Sequence, residues 1–165
     1  MAKHGVFISE NCSYTNDGSK IRSAVNPATA TDNGTAVTLS GLATGERELW
    51  TAAMANASTD KADIWVVCTP EVIYDESKRF TIADFYNGIN DSATEKTPMR
   101  VVKLEKGDIF GLTAEVLSAT PVDGDGIAPA ADGTWTVASA SATDFAKFMD
   151  VTVINGLTYY SFEAL

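Results

Sequence analysis

Histidine is almost missing from this chain of 165 residues: the single one, His4, sits beside the amino terminus. A zinc site built on two or more histidines is thereby excluded, and a Ser/His/Asp triad has no support. Basic charge is scarce as well. Lys and Arg number 12 against 22 Asp and Glu, which leaves a net charge of −10. Binding to a phosphate backbone draws on cations that release counterions, so nucleic acid is not an expected partner. Cysteine is limited to Cys12 and Cys68, far apart and outside any CxxC motif. They are expected as reduced thiols, with Cys68 a small buried hydrophobe ending the run Ile64-Trp65-Val66-Val67. No apolar run reaches the roughly 18 residues of a membrane helix, so no membrane partner is expected. The first ten residues lack a basic segment followed by an apolar run, so export is not expected either.

What is present suffices for a core. Hydrophobic residues make up 45% and charged residues 21% of the chain, the balance of one globular domain. Residues 1–32 are polar and turn-rich, with Asn16-Asp17-Gly18-Ser19 and Asn26-Pro27 as breakers and Val6-Phe7-Ile8 as the one compact apolar group. They read as an N-terminal arm that packs on neighbouring subunits, unless Val6-Phe7-Ile8 adds a strand to a sheet. Residues 33–165 read as a single β-rich domain.

Within that domain Thr35-Ala36-Val37-Thr38-Leu39 alternates as a strand does, and the segment around Trp50 leans to strand. Asp63 to Thr69 is a buried strand ended by Pro70. Thr81 to Ile89 has a cap and apolar residues at helical spacing, predicting a two-turn helix. Arg100–Leu104 and Ile109–Thr113 flank a Gly-containing turn and predict a hairpin. Pro121 to Gly133 reads as a flexible acidic loop, Thr134–Val137 as a strand, and Ser141–Asp144 as the start of a short helix carrying Phe145, Phe148 and Met149. The clearest signal is Asn155-Gly156 between two strand-forming runs, which specifies a type I′ hairpin. The fold expected is mainly β: a β-dominated α+β domain, sandwich or barrel-like, with one or two short helices and the arm.

Catalytic motifs are wanting. Asp123-Gly124-Asp125-Gly126 starts like a calcium loop, but the apolar Ile127 stands where a third ligand is needed. No GxGxxG or GxxxxGK[ST] pattern exists. The paired acids Glu46/Glu48 and Asp75/Glu76 read as surface charge rather than a glycosidase pair. No cofactor is expected, and no enzyme. Trp50, Trp65, Trp135, Tyr159 and Tyr160 could form a sugar platform, although in a small β domain such aromatics more often anchor a core or an interface. In the closing hairpin, alternation puts Val151, Val153, Thr158, Tyr160 and Phe162 on one face. Thr152, Ile154, Leu157, Tyr159 and Ser161 share the other, so both faces carry large apolar groups. Burial of the second face against another chain is implied.

One series of segments resembles a known class. It runs from Glu46-Arg47-Glu48-Leu49-Trp50-Thr51-Ala52 through Asp63–Val67 into Pro70-Glu71-Val72-Ile73-Tyr74-Asp75-Glu76. It continues with Asp84-Phe85-Tyr86-Asn87, Arg100–Leu104, Lys106-Gly107-Asp108-Ile109-Phe110 and Thr113. This order, over roughly residues 33–117, resembles small virion proteins of tailed bacteriophages identified as head decoration or cement proteins. The resemblance implies a non-enzymatic protein, made in the host cytoplasm, that binds the capsid exterior, contacts the major capsid protein and self-associates on the lattice. An acidic surface suits the outside of a shell whose inside meets DNA. The alternatives are another phage structural component, such as a tail-tube or head-fibre protein, and a carbohydrate- or host-binding module. The residues expected at the partner interface are Val6, Phe7, Ile8, Trp135, Tyr159 and Tyr160.

Overall fold

The computed structural model describes residues 4–29, 31–70, 98–154 and 156–165. The chain is β-dominated, with eleven strands among these residues and helical turns that are all short 3-10 segments. The helix expected over Thr81–Ile89 lies outside the described residues.

Two sheets are built. The strands are β1 (Phe7–Asn11), β2 (Ile21–Val25), β3 (Ala36–Leu42), β4 (Leu49–Met54), β5 (Trp65–Val67), β6 (Met99–Val102), β7 (Ile109–Leu112), β8 (Asp125–Pro129), β9 (Trp135–Ser139), β10 (Ala146–Ile154) and β11 (Leu157–Ala164). Strands β2, β4, β3, β5 and β6 close into a small barrel, and the other six form an open sheet in the order β1-β7-β11-β10-β8-β9. Every pairing is antiparallel except that of β2 with β4. Alternation explains how both units are filled. Ala24, Val37, Ala52, Val67, Met99 and Val101 come from all five barrel strands and pack together as the barrel's interior. Residues of opposite parity, Ala36, Val66 and Val102, point out of the barrel into a second cluster with Phe110, Leu112, Ile127, Trp135, Phe145 and Phe162. One core thus bonds the barrel to the sheet.

Several expectations are corrected. Residues 7–25 are not an arm: β1 pairs with β7, Phe7 lying opposite Leu112, and β2 closes the barrel between β4 and β6. Polar composition masked these strands because β1 is an edge strand with one wet side, and because local caps surround it. Asp17 accepts from the Ser19 amide at 3.0 Å, and Ser13 donates its amide and hydroxyl to Asp108, both at 2.9 Å. The hairpin expected over residues 100–113 is two strands in different sheets, since β6 pairs with β2 and β5 while β7 pairs with β1 and β11. The turn between them is pinned elsewhere. The Gly107 amide donates to Ala164 at 2.9 Å, and the buried Asp108 carboxylate accepts from the Glu105 amide at 2.9 Å. Residues 121–133 are no loop throughout, because they contain β8. Nor does Ser141 open a helix. The Asp144 carboxylate accepts from the Ser141 amide at 2.5 Å and closes a single turn, after which the Phe145 amide bonds the Ile127 carbonyl at 2.7 Å and β10 begins.

The closing hairpin has the expected register. Ile154 faces Leu157 across two residues, Gly156 has φ +81°, and Val153↔Thr158, Thr152↔Tyr159 and Val151↔Tyr160 follow. Asn155 itself lies outside the described residues.

Candidate interaction surface

The strands β10 and β11 extend further than their neighbours. β8 pairs with β10 only at Ala146 and Lys147, and β7 pairs with β11 only from Tyr160 to Glu163. Beyond those points, among the described residues, the two strands pair only with each other. Their distal part is therefore a two-stranded ribbon that leaves the sheet. Its side chains are large and aliphatic: Val153 is 66% exposed, Val151 and Leu157 50%, Met149 47% and Ile154 40%. Val151 and Val153 continue the face that carries Tyr160 and Phe162, so they prolong the core stripe past the end of the core. From Val151 to Phe162 no residue is charged. A contiguous, uncharged aliphatic protrusion is the kind of surface that marks a protein contact.

The residues expected at an interface are distributed otherwise. Trp135 is fully buried, stacks on Phe145 with ring centroids 5.1 Å apart, and donates its indole N–H to the Gly34 carbonyl at 2.7 Å. It offers nothing to a partner. Val6 is buried and donates its amide to the Thr113 hydroxyl at 3.0 Å. Phe7 is half-buried and stacks on Phe110 at 5.7 Å. Ile8 and the buried Tyr159 lie on the face away from the core, against Gly111, where a side chain would collide with Ile8. Tyr160, half-buried, packs on the core side. Neither tyrosine is exposed; the exposed side chains are the aliphatic residues beyond them. The signal was the alternation of the hairpin itself, and aromatic preference at interfaces drew attention to the tyrosines instead.

Other clusters are closed. The Arg22 guanidinium lies 4.0 Å from the Trp50 ring centroid and 4.9 Å from that of Trp65, and the Lys103 ammonium is 5.4 Å from Trp65. Those two rings are covered by cations, and with Trp135 buried the three tryptophans form no common platform. Cys12 and Cys68 are free, buried thiols. Burial, reinforced by the Asp108 carboxylate, pushes the Cys12 thiol up to about 12, and it donates to the Ile109 carbonyl at 3.1 Å. Such a thiol is inert at neutral pH. The Tyr14 hydroxyl, also shifted upward by burial, lies 3.6 Å from the Cys68 sulfur. In the acidic segment the Asp125 carboxylate accepts from the Val122 amide at 2.9 Å. Among the described residues no three His, Cys, Asp or Glu side chains gather as a metal site.

A shallow groove of about 340 Å³ opens on the barrel side, lined by Val25, Pro27, Ala43, Thr44, Glu46, Leu49 and Thr51. Its polar lining side chains are the Glu46 carboxylate and the Thr44 and Thr51 hydroxyls. Comparison with known proteins adds no identity: no family model, no curated protein and no solved structure matches the chain.

Proposed function

We propose that the chain is a non-enzymatic binding protein that docks on a protein lattice through the projecting β10/β11 hairpin, and that the lattice is the outer surface of a tailed-phage head. The observation that carries the docking role is the ribbon itself, with Val151, Val153, Ile154 and Leu157 exposed on a charge-free stretch of a chain of net charge −10. The capsid as partner comes from the resemblance over residues 33–117 and agrees with the acidic surface. A small protein repeated over a lattice gains avidity, so a modest patch per copy suffices.

The test is addition of the purified chain to heads prepared without it, followed by sedimentation. Cosedimentation that saturates, and that raises the temperature at which the heads disrupt, supports the reading. Val153→Asp, which puts a charge on the ribbon, abolishes binding while leaving the melting temperature of the free chain within a few degrees. Heads that neither bind nor gain stability overturn the capsid reading. Binding that survives Val153→Asp overturns the hairpin's part in it. A tail-tube role is the second reading, favoured by the two edges of the ribbon, which are unpaired among the described residues and could continue a sheet from copy to copy. It requires rings or tubes from the purified chain alone.

A further inference from the structure

The open edge of β10 supports an inference that does not depend on which lattice the protein binds. Beyond Lys147, among the described residues, no strand lies alongside that edge. The turn decides which backbone groups it offers. Ile154 and Leu157 close a two-residue connection and so form a hydrogen-bonded pair, and such pairs alternate along an antiparallel ladder. Thr152↔Tyr159 is then hydrogen-bonded as well, while the N–H and C=O groups of Val151 and Val153 point outward. The Val151 amide shows this directly. It donates to Oδ1 of Asp150 at 2.7 Å rather than to β11.

The geometry points to a second copy of this chain as the occupant of that edge, with two β10 strands pairing antiparallel about a two-fold axis at Thr152. In this register Val151 lies opposite Val153 of the other copy, both using their outward groups, and Thr152 lies opposite Thr152. Asp150 falls opposite Ile154, so no like charges meet. Charge favours this edge over other surfaces: two chains of net charge −10 repel over most of their area, but the stretch from Val151 to Phe162 is uncharged. Stability favours it too. A ribbon of two strands is marginal in water, whereas two ribbons joined edge to edge make a four-stranded sheet. Four valines then line one face of that sheet, closing an isologous contact. Asp150 limits the affinity, because its carboxylate must release the Val151 amide before the strands can pair. Acidic residues at a strand edge restrain indiscriminate pairing in this way.

Sedimentation equilibrium of the full chain, without any virion component, reads the association. The expected result is a monomer–dimer equilibrium that Asp150→Ala shifts several-fold toward dimer. Val153→Pro removes one outward N–H that β11 does not use, and Val153→Lys places a cation on the edge; each abolishes the dimer. Far-UV circular dichroism verifies that they remain folded, and if the proline variant does not, the lysine variant decides. Thr152→Cys forms a covalent dimer under mild oxidation, the native thiols being buried. A chain that is monomeric at every concentration overturns the proposal, as does a dimer that survives Val153→Lys. Failure of Thr152→Cys to cross-link, or an Asp150→Ala chain that dimerises no more tightly, overturns this register. A monomer that still binds heads removes only the pairing, and a dimer that ignores heads removes only the capsid reading.

Discussion

The root and the tip of the β10/β11 hairpin share one pair of strands and one turn, yet they live in different surroundings. At the root, Phe162 is fully buried, lies 5.9 Å from Phe148 edge to face, and lies 6.0 Å from Phe110. A few residues further along the same face, Val151 and Val153 are half or more exposed. Nothing in strand propensity separates them, since valine is as good a strand former as phenylalanine. What separates them is whether another layer lies beneath. Phe162 is flanked within its sheet by Phe110 of β7 and shares its core with the outward barrel residues Ala36, Val66 and Val102, whereas Val151 is exposed and belongs to no core cluster. The comparison shows that an apolar stripe reports the wish to be covered, and that the fold decides whether the cover comes from the same chain.

The largest way to sharpen this contrast is Phe162→Ala. Removing a fully buried aromatic ring leaves a cavity among Phe110, Phe148 and Leu112, and the expected loss is about 3–5 kcal/mol in urea unfolding. A loss below roughly 1 kcal/mol would show that the root is no better covered than the tip.

Tyr159 and Tyr160 test the same division across the thickness of the sheet. Tyr159 is 7% exposed on the face away from the core, against Gly111 and Ile8, whereas Tyr160 is half-buried on the core side beside Leu112. Tyr159→Ala is expected to cost about 2–3 kcal/mol and Tyr160→Ala about 1–2 kcal/mol, as graded by burial. The reverse order in thermal or urea unfolding would mean that the face away from the core is covered less well than its exposure indicates.

These contrasts also mark what could be read from the residues alone. The strands around Val37, Trp50, Val66 and Trp135 and the closing turn were legible because alternation, short apolar runs bounded by turn residues, and Asn-Gly are local signals. The pairing of β6 with β2 rather than β7 was not, since it depends on Asp108 reaching Ser13, 95 positions away, and on Gly107 reaching Ala164. Ser141–Asp144 was misleading because a serine three residues before an acid closes one turn as well as it caps a helix. Strand β2 was overlooked because Arg22, a charged residue at a barrel-facing position, breaks the apolar alternation, and only the Trp50 and Trp65 rings that receive it explain why it is tolerated there. For the candidate surface, the hairpin and its two apolar faces were legible. Which of its residues lie past the core was not, because the length of the neighbouring strands is a property of the whole sheet.

Gly156 probes the turn between the two halves of the comparison. Its φ of +81° lies in the left-handed region, and a side chain there would meet no neighbour within 4 Å. The cost of Gly156→Val is therefore backbone strain alone, about 1 kcal/mol or more. Gly156→Asn, which tolerates that region, should recover most of it in the same unfolding experiment. If both replacements cost the same, the strain argument fails and the glycine serves some other need.

The smallest stability effect belongs to the tip, and it is the most informative. Val151→Thr with Val153→Thr keeps the shape and the strand propensity of both positions while adding two hydroxyls to a face that water already reaches. In the isolated monomer the double substitution should change unfolding free energy by no more than about 0.5 kcal/mol, as is usual for exposed sites. Measured where a head covers that face, the same two hydroxyls must be desolvated without new hydrogen bonds, and each such group costs about 1–3 kcal/mol. Binding should weaken by tenfold or more although the fold is untouched. A double variant that binds as well as the parent would place the contact away from the stripe formed by Val151 and Val153. One that unfolds the free chain would mean that the tip is covered from within, and that the contrast between root and tip is false.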